Sequence, residues 1–349
     1  METTEASGKE EELAKKVTGR PRVYILDSAI VSDSNEARIE TEILKGVATV
    51  TLLHVQNEEE FLSYASSVDA LIVWHHANLT RLSISKLNRT QVIVRNGVGV
   101  DNVDISTARE FGIPVCNVPD YGTEEVADHA LAMALSVWRQ LGPLNKSVVK
   151  GTWDWRVGSF IRRIRGSVFG VVGCGRIGTA TARRARVFGF NVIFYDPFVP
   201  SGYEKALGIG RVNTLENLLR VSDIVSLHVP LTTTTFHLLG EAEFKLMKPT
   251  SYLVNTSRGP VVEEGALVEA LKSARLAGAA LDVVEEEPNP PRDLLSRENC
   301  IFTPHAAFYS RESLNEMREK SAGIVLDVLL GRGLRNVVNG AQDACGTGG

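Results

Sequence analysis

The sequence predicts an α/β protein with two domains, each built on a parallel β-sheet. Three observations lead to this fold class. Short apolar, β-branched runs alternate with helical stretches along most of the chain, a pattern typical of βαβ units. Near the middle of the chain, a glycine-rich turn follows one such run and precedes a helical stretch. The length of 349 residues exceeds that of a usual single domain.

The first part of the chain contains four predicted strands. Apolar runs place them at residues 22–26, 48–53, 70–74 and 91–94. A helical pattern covers residues 61–67. Because parallel strands need such crossover connections, this alternation predicts a parallel, flavodoxin-like sheet. We assign residues 21–117 and 308–340 to this substrate domain, since a final helix at 311–330 returns past the second domain.

The second domain is expected over residues 118–307, inserted into the first. It starts with a long helix at 124–139, and a further helix follows the glycine-rich turn at 179–188. Apolar runs predict its strands, at residues 168–172, 191–195, 224–227, 252–254, 279–283 and 300–303. The two ends of the chain, 1–20 and 341–349, have compositions that indicate a disordered tail and a flexible tail.

Gly173, Gly175 and Gly178 form the pattern G-x-G-x-x-G between a predicted strand and a predicted helix. The first glycine permits a tight turn, the second lets the backbone approach a pyrophosphate, and the third lets the helix pack on the strand. Asp196 ends the next strand, 196 − 178 = 18 residues after the last glycine, close to the spacing of a ribose-binding acid. The sequence therefore predicts a Rossmann-like dinucleotide site. A tight turn between packed elements is the alternative.

Asp196 also favours NAD over NADP. A carboxylate accepts hydrogen bonds from the ribose hydroxyls and repels a 2′-phosphate. Arg183, Arg184 and Arg186 lie near enough in sequence to offset that repulsion, although a solvated basic helix face is the better explanation of them. We therefore expect NAD as the cofactor.

Composition narrows the functional class. The formal net charge of −4 gives no global field for nucleic acid or an anionic membrane, and no apolar run is long enough to span a bilayer. The four cysteines have no C-x-x-C spacing and suit a reducing, cytoplasmic environment. We expect no metal site, no nucleic-acid partner and no membrane partner.

Three polar side chains follow three predicted strands, where ligands bind in open α/β sheets. Arg258 can hold a carboxylate through two parallel bonds, and His305 can exchange a proton with a carbonyl oxygen. An acid of the run 285–287 would favour the imidazolium form of that histidine, and Asp282 is placed to accept from a nicotinamide carboxamide. This chemistry fits reduction of a 2-keto acid. A surface ion pair, a strand-end histidine and a solvated acidic turn are the separate alternatives.

The strings that carry these residues resemble the D-isomer-specific 2-hydroxyacid dehydrogenases, from about residue 22 to residue 339. In that family the catalytic arginine lies in N-T-x-R-G, the acid in D-V-x-x-x-E-P and the histidine in T-P-H. The resemblance therefore selects Arg258, Glu287 and His305 as catalytic residues. With the helix N-terminus after the glycine turn, it gives the remaining expected cofactor contacts, which are Thr123, Arg176, Ile177, Pro230 and Thr256.

Within the family, the sequence is most similar to the C-terminal-binding-protein branch. That branch usually has tryptophan where this chain has Phe308, beside the substrate. The resemblance also identifies a substrate-binding loop, formed by Arg95, Gly97, Val98 and Gly99, whose backbone N–H groups would bind a carboxylate. It implies a homodimer formed through the helix at 124–139, whereas the apolar spacing of that helix fits burial in the monomer equally well.

The resemblance implies an NAD-dependent oxidoreductase that reduces a small 2-keto acid to the D-2-hydroxy acid. The alternative is an NAD(H)-regulated transcriptional corepressor, as animal members of the branch are. Those members carry a long disordered C-terminal tail, and only nine residues follow Gly340 here, which favours the enzyme. A catalytically inactive NAD sensor is a third alternative.

Overall fold

The computed structural model describes residues 19–27, 37–55, 57–75, 77–158 and 160–341. Apart from residues 19–20 and 341, the two predicted tails lie outside these described residues. The backbone divides into two compact units, separated after Tyr121 and after Ser310. These divisions lie a few residues beyond the predicted boundaries, so Phe308 belongs to the second unit.

The first unit contains a five-stranded parallel sheet of order β2-β1-β3-β4-β5. Its strands are β1 (Arg22–Asp27), β2 (Thr49–His54), β3 (Ala70–Val73), β4 (Val92–Arg95) and β5 (Val115–Asn117). Its first helices are α1 (Arg38–Ile43), α2 (Glu58–Phe61), α3 (Arg81–Ile84) and α4 (Ile105–Glu110). This is the flavodoxin-like order, so the predicted fold class is confirmed for this unit.

Two sequence predictions for the first unit need correction. The helix expected at 61–67 is split into α2, which Asn57 caps at its N-terminus, and a 3₁₀ turn at Ala65–Ser67. The sequence analysis also missed β5, because a three-residue strand before a proline is too short to show a period. Buried residues on both faces of β3 and β4 form the centre of the sheet.

The second unit contains a seven-stranded parallel sheet of order β12-β11-β10-β9-β6-β7-β8. Its strands are β6 (Val168–Val172), β7 (Asn191–Tyr195), β8 (Gly210–Arg211), β9 (Ile224–Leu227), β10 (Tyr252–Asn255), β11 (Gly278–Leu281) and β12 (Cys300–Phe302). The order reverses between β6 and β9, and in such sheets ligands bind beyond the carboxyl ends at this switch point. The Rossmann-like prediction is confirmed.

Helices and 3₁₀ turns connect these strands. The helices are α5 (Thr123–Trp138), α6 (Leu141–Val149), α7 (Arg176–Val187), α8 (Tyr203–Leu207), α9 (Leu215–Val221), α10 (Glu241–Leu246), α11 (Glu264–Lys272) and α12 (Arg292–Leu295). The turns are Trp155–Gly158 and Gly259–Val261. Helix α7 begins three residues earlier than predicted, because the glycine turn leads into it directly. The apolar side chains of α5 are buried in the core of this unit.

The chain returns to the first unit through helix α13 (Arg311–Leu329). A two-bond ion pair joins it to α1: Arg318 Nη2 lies 2.7 Å from Glu40 Oε2, and Arg318 Nε donates to the other oxygen at 2.8 Å. The Glu40 carboxylate is buried, so this arginine is its compensating charge. Among the described residues, no helix is long and apolar enough to cross a membrane.

Candidate active site

The glycine turn between β6 and α7 has the geometry that a dinucleotide needs. Gly173 has φ 85°, and a Cβ there would lie 2.7 Å from the carbonyl oxygen of His228. A Cβ on Gly178 would overlap the carbonyl group of Gly173. Beside Gly175, in contrast, no described atom lies within 4 Å of an ideal Cβ position. Packing within the protein thus explains Gly173 and Gly178. Gly175 instead leaves a space in which a pyrophosphate can approach the backbone.

The N-terminus of α7 opens on that space. Gly175 caps this 12-residue helix without a side chain, so the N–H groups of its first turn, including those of Arg176 and Ile177, have no intrahelical acceptor. Such a helix end carries a partial positive charge and binds phosphate groups. A cavity of about 650 Å³ within this unit is lined by Thr123, Arg176 and Phe188, among others. Two predicted cofactor residues therefore share one groove.

Asp196 lies at the carboxyl end of β7 and is fixed by backbone groups. Its Oδ2 accepts from the N–H of Cys174 at 2.8 Å, and its Oδ1 accepts from the N–H of Phe198 at 2.8 Å. A carboxylate has about four acceptor positions, so both oxygens keep capacity for ribose hydroxyls. Two of the neighbouring arginines are engaged elsewhere, Arg184 with Asp128 at 2.5 Å and Arg186 with a backbone carbonyl at 3.0 Å.

Two buried polar atoms at the ends of neighbouring strands have no hydrogen-bond partner among the described residues. They are Thr256 Oγ1, just after β10, and His228 Nδ1, just after β9. His228 Nε2 lies 2.8 Å from Ser226 Oγ, and burial lowers the pKa of this histidine to about 3. A neutral imidazole and a hydroxyl are thus placed where a polar ligand such as a dinucleotide could form hydrogen bonds with them. Sequence reasoning predicted Thr256 and missed His228, whose position after a strand end was the available signal.

His305 and Glu287 form the pair that the sequence predicted. His305 Nδ1 lies 2.8 Å from Glu287 Oε2. A carboxylate only accepts hydrogen bonds, so Nδ1 carries a hydrogen and Nε2 is the nitrogen that can exchange a second proton. The His305 backbone is left-handed, with φ 52°, and the side chain is 26% exposed. The pair is therefore accessible to a small molecule and has a defined tautomer.

Asp282 holds the segment that carries His305. Its Oδ1 accepts from Thr303 Oγ1 at 2.6 Å and from the N–H of Ala306 at 2.9 Å, and its Oδ2 accepts from the N–H of Ala307 at 3.0 Å. The Asp282 side chain is only 1% exposed. These bonds engage the carboxylate inside the protein, and the predicted contact with a nicotinamide carboxamide stays a prediction.

His129 of α5 extends this network. Its Nε2 lies 2.9 Å from Thr303 Oγ1, whose own hydrogen goes to Asp282 at 2.6 Å. Thr303 Oγ1 therefore accepts from the imidazole, which assigns the Nε2–H tautomer to His129. Sequence reasoning did not identify His129, because a histidine at helical spacing carries no signal of its own.

Arg258 and Phe308 complete the predicted residues of this unit. Arg258 follows β10, and its Nη1 donates to the carbonyl oxygen of Ser257 at 2.8 Å. Asn255 Nδ2 donates to the carbonyl oxygen of Arg258 at 2.9 Å, which fixes the backbone there. The Phe308 ring meets the His305 ring edge-on, with centroids 6.3 Å apart. Pro230 lies in the turn after β9, where its carbonyl oxygen accepts from a threonine hydroxyl at 2.6 Å.

The predicted substrate loop belongs to the first unit. Arg95 ends β4 and is buried, and its Nη1 donates to the carbonyl oxygen of Asn96 at 3.0 Å. Gly97 has φ 140°, a backbone conformation that favours glycine, and a Cβ there would meet the guanidinium group of Arg95. Val98 is partly exposed and precedes Gly99. The carboxylate-binding role of this loop stays a prediction. No cluster of histidine, cysteine and acidic residues in the described part of the chain could hold a metal ion.

Comparisons with known proteins agree with this geometry. Residues 131–307 match the family described as "D-isomer specific 2-hydroxyacid dehydrogenase, NAD binding domain". A D-3-phosphoglycerate dehydrogenase from Methanocaldococcus jannaschii is 37% identical over 303 residues, which are 85% of this chain and 57% of that protein. C-terminal-binding protein 1 from Caenorhabditis elegans is 36% identical over 327 residues, 90% of this chain and 44% of that protein. The chain thus spans about half the length of these two relatives.

A solved structure has the same fold. The D-lactate dehydrogenase from Aquifex aeolicus, complexed with NAD and lactic acid, aligns with a TM-score of 0.80 and 29% identity. The alignment covers 88% of this chain and 96% of that chain. The expected nicotinamide dinucleotide cofactor is confirmed by the family match. Because that match covers half of the sequence, and its motifs carry the site just described, the chain belongs to the D-isomer-specific 2-hydroxyacid dehydrogenase family.

Proposed function

We propose that the protein is an NAD-dependent oxidoreductase that reduces a small 2-keto acid to the D-2-hydroxy acid, reversibly. The observation that carries this proposal is the His305–Glu287 pair, 2.8 Å apart, at the carboxyl edge of the sheet whose switch point holds the glycine turn. A proton donor at this edge can protonate the oxygen of a carbonyl group whose carbon accepts a hydride there. The D configuration of the product rests on family membership.

The residues divide the chemistry between them. The bound dinucleotide would supply the hydride to the carbonyl carbon, or accept it in the reverse direction. Arg258 would hold the substrate carboxylate and polarise the adjacent carbonyl. His305 would give the proton on Nε2 to the carbonyl oxygen, so that hydride and proton together form the alcohol. Glu287 would keep the imidazole oriented and offset its positive charge.

The direct test is oxidation of NADH by the purified protein with a panel of 2-keto acids. The panel includes glyoxylate, pyruvate, hydroxypyruvate and phenylpyruvate, and it extends to branched and thioether side chains. We expect turnover on at least one of them and its loss in Arg258→Ala. Tight NADH binding without turnover on the whole panel would refute the enzyme and favour the sensor.

We further propose that NAD is preferred over NADP. The buried Asp196 carboxylate is already fixed by two backbone N–H groups, so it would meet a 2′-phosphate without being able to turn away. We expect Asp196→Asn to weaken NADH relative to NADPH, because the repulsive charge is removed and the shape is kept. Binding titrations with both nucleotides measure this ratio, and an unaltered ratio would exclude Asp196 from ribose recognition.

A corepressor function is the second candidate, and the identity to C-terminal-binding protein 1 favours it specifically. The two functions differ in what they bind. A corepressor of this type recognises short Pro-x-Asp-Leu-Ser peptides, whereas a metabolic enzyme does not need to. A titration with such a peptide separates them: tight binding supports the corepressor, and no binding alongside turnover supports the enzyme alone.

Assembly and location are proposed on other observations. We propose a homodimer with helix α5 at the contact, on the strength of the family resemblance. The apolar residues of α5 are buried within its own unit, so an exposed apolar surface would add to that contact. Such a surface follows α6, and we call its exposed residues Val149, Trp153, Trp155 and Phe160 the aromatic patch. A second copy would cover it. Cys174 and Cys300 form no disulfide among the described residues, which suits the cytoplasmic location that we propose.

A further inference from the structure

A histidine–glutamate pair lies close to the catalytic residues without being one of them. His237, in the connection between β9 and α10, has its Nε2 2.6 Å from Glu285 Oε1. Glu285 precedes Glu287 by two residues. Both side chains are about a quarter to a third exposed, 33% for the histidine and 26% for the acid. The sequence suggested a solvated turn for this acidic run, and Glu285 is instead engaged on one side by an imidazole.

The other carboxylate oxygen of Glu285 attaches the same loop to helix α11. Glu285 Oε2 accepts from the N–H of Glu264 at 3.2 Å, and Glu264 Oε2 accepts from the N–H of Glu285 at 3.4 Å. Burial, together with the charges of Glu285 and Glu286, raises the pKa of Glu264. The imidazole of His237 contacts Glu285, the glutamate that bonds to Glu264.

His237 also contacts the segment that carries Arg258. Its backbone N–H donates to the carbonyl oxygen of Pro260 at 2.8 Å, two residues after Arg258. The same segment packs directly on the acidic loop. Gly259 lies so close to this loop that a Cβ there would overlap the carbonyl group of Val284. One residue thus bonds through its backbone to the arginine segment and through its side chain to the glutamate loop.

The conformation of His237 is held in place for this contact. Its backbone is left-handed, with φ 50°, a conformation that is unfavourable for most residues other than glycine. Its ring stacks on Phe236, with centroids 3.9 Å apart and planes at 20°. Histidine and asparagine tolerate this backbone region better than most residues. The stacked ring therefore reaches Glu285 in a single orientation.

We propose that His237, together with Glu285, is a positioning residue that fixes the spacing between Arg258 and the His305–Glu287 pair. The role rests on the proposed function, because it concerns the geometry of the same reaction. A substrate held by its carboxylate on Arg258 must present its carbonyl oxygen to His305. A displacement of about 1 Å between such groups can cost up to 10²-fold in rate. Neither residue touches the reacting atoms.

The test uses two substitutions of His237 and one matched control. His237→Asn keeps the left-handed backbone and is too short to reach Glu285, whereas His237→Gln keeps a donor at similar reach. Glu286→Gln changes an exposed acid of the same turn. With NADH and the panel acid that gives turnover, we expect His237→Asn to lower kcat roughly tenfold or more and to displace its pH profile. KM should change less. His237→Gln should recover most of kcat, and Glu286→Gln should resemble the wild type.

Hydrogen exchange of residues 283–288 gives a readout that does not depend on turnover. Exchange should be faster in His237→Asn than in Glu286→Gln. Faster exchange with an unchanged kcat and pH profile would overturn the positioning role alone. Equal exchange in the two variants would show that the pair does not hold the loop, which also overturns it. Absence of wild-type turnover on every acid would refute the proposed enzyme, and this role with it.

Discussion

At the scale of single residues, the backbone of His305 decides what its side chain can do. A left-handed φ of 52° directs the imidazole away from the course of β12, and the bonds to Asp282 keep the segment there. The cost of that conformation is of the order of 1 to 3 kcal/mol, so the surrounding bonds must exceed it. A substitution at this position tests the role of the imidazole in catalysis only if the new residue also adopts the left-handed backbone conformation.

His305→Asn separates those two effects, because asparagine also adopts the left-handed region. We expect turnover to fall roughly 10²-fold or more, since the proton donor is lost. The affinity for NADH should change little, because His305 is not among the groups expected to hold the cofactor. Fluorescence titration and steady-state rates give both values. Unchanged turnover would remove His305 from the mechanism.

His228 should make the protein less stable in mild acid. Its pKa is about 3 in the folded chain and about 6.5 when unfolded. Between these values the unfolded chain binds a proton that the folded chain does not, so the free energy of unfolding decreases as the pH falls below about 6.5. At pH 5 the loss reaches roughly 1 to 2 kcal/mol. Urea unfolding at pH 7 and pH 5 measures it.

His228→Asn is the matched variant for this effect, since it removes the titrating group and keeps a polar side chain. The variant should lose less stability than the wild type between the two pH values. Glu264, whose pKa is raised, is present in both proteins, so its contribution cancels in the comparison. Parallel losses in the two proteins would mean that His228 is solvated in the folded state.

At the scale of elements, the segment after β12 is positioned by a side-chain network that spans three elements. The Thr303 hydroxyl links His129 of α5 to Asp282 of the β11 strand end, at 2.9 Å and 2.6 Å. Thr303→Val should therefore lower the free energy of unfolding by about 1 to 3 kcal/mol, because it removes one hydrogen bond to the buried Asp282 carboxylate and the hydrogen-bond acceptor of the half-buried His129 imidazole. Thr303→Ser keeps the hydroxyl and should be close to the wild type.

Catalysis should report on the same network. Because the network positions the segment that carries His305, we expect Thr303→Val to lower kcat and to leave NADH binding unchanged. Steady-state rates measure the effect on kcat, and chemical denaturation measures the effect on stability. A valine variant as stable and active as the serine variant would show that the Thr303 hydroxyl is dispensable.

Sequence reasoning succeeded where the signal was periodic or tied to a motif. The strands that flank the glycine turn were found because β-branched runs and an acid at fixed spacing are local features, and so was Asp196. The three-residue β5 and the short helices α3 and α4 were missed, since one or two turns do not establish a period.

Within the candidate active site, the sequence could not predict contacts between residues that are far apart in the chain. The pairing of His305 with Glu287 was inferred from strings that resemble a family, because the two residues lie 18 positions apart in the chain. The contact between His237 and Glu285 spans 48 positions and has no motif. Such contacts arise from tertiary packing, which the order of residues does not display. The same holds for the role of Asp282 as an internal anchor.

At the scale of the whole molecule, the two sheets share a parallel architecture but differ in strand order. Both are entirely parallel, so their helices must cover both faces and their strands are buried. The second sheet has more strands, and its strand order reverses between β6 and β9. The glycine turn follows β6, and the His228 Nδ1 atom, which has no partner among the described residues, follows β9. In the first sheet, strand β4 ends in the buried Arg95, and Gly97 follows with a positive φ that favours glycine.

The side chains of the aromatic patch are exposed to solvent on the second unit. Trp153, Trp155 and Phe160 are 90%, 82% and 80% exposed. Three large aromatic side chains are thus exposed within eight positions of the chain, and exposed apolar groups that are concentrated in this way are typical of interfaces. Burying such rings releases about 25 cal/mol for each Å² removed from water, so a second copy that covers them would gain several kcal/mol.

We therefore expect the protein to sediment as a dimer and the double variant Trp153→Ser, Trp155→Ser to sediment as a monomer. Because both indoles are almost fully exposed, their removal should leave the free energy of unfolding of the isolated chain nearly unchanged. Phe198→Ser is the control, since that ring is 88% exposed in the same unit and lies outside the patch. Analytical ultracentrifugation over a range of concentrations distinguishes the outcomes. A double variant that remains dimeric would place the interface elsewhere, and a monomeric wild type would refute the homodimer itself.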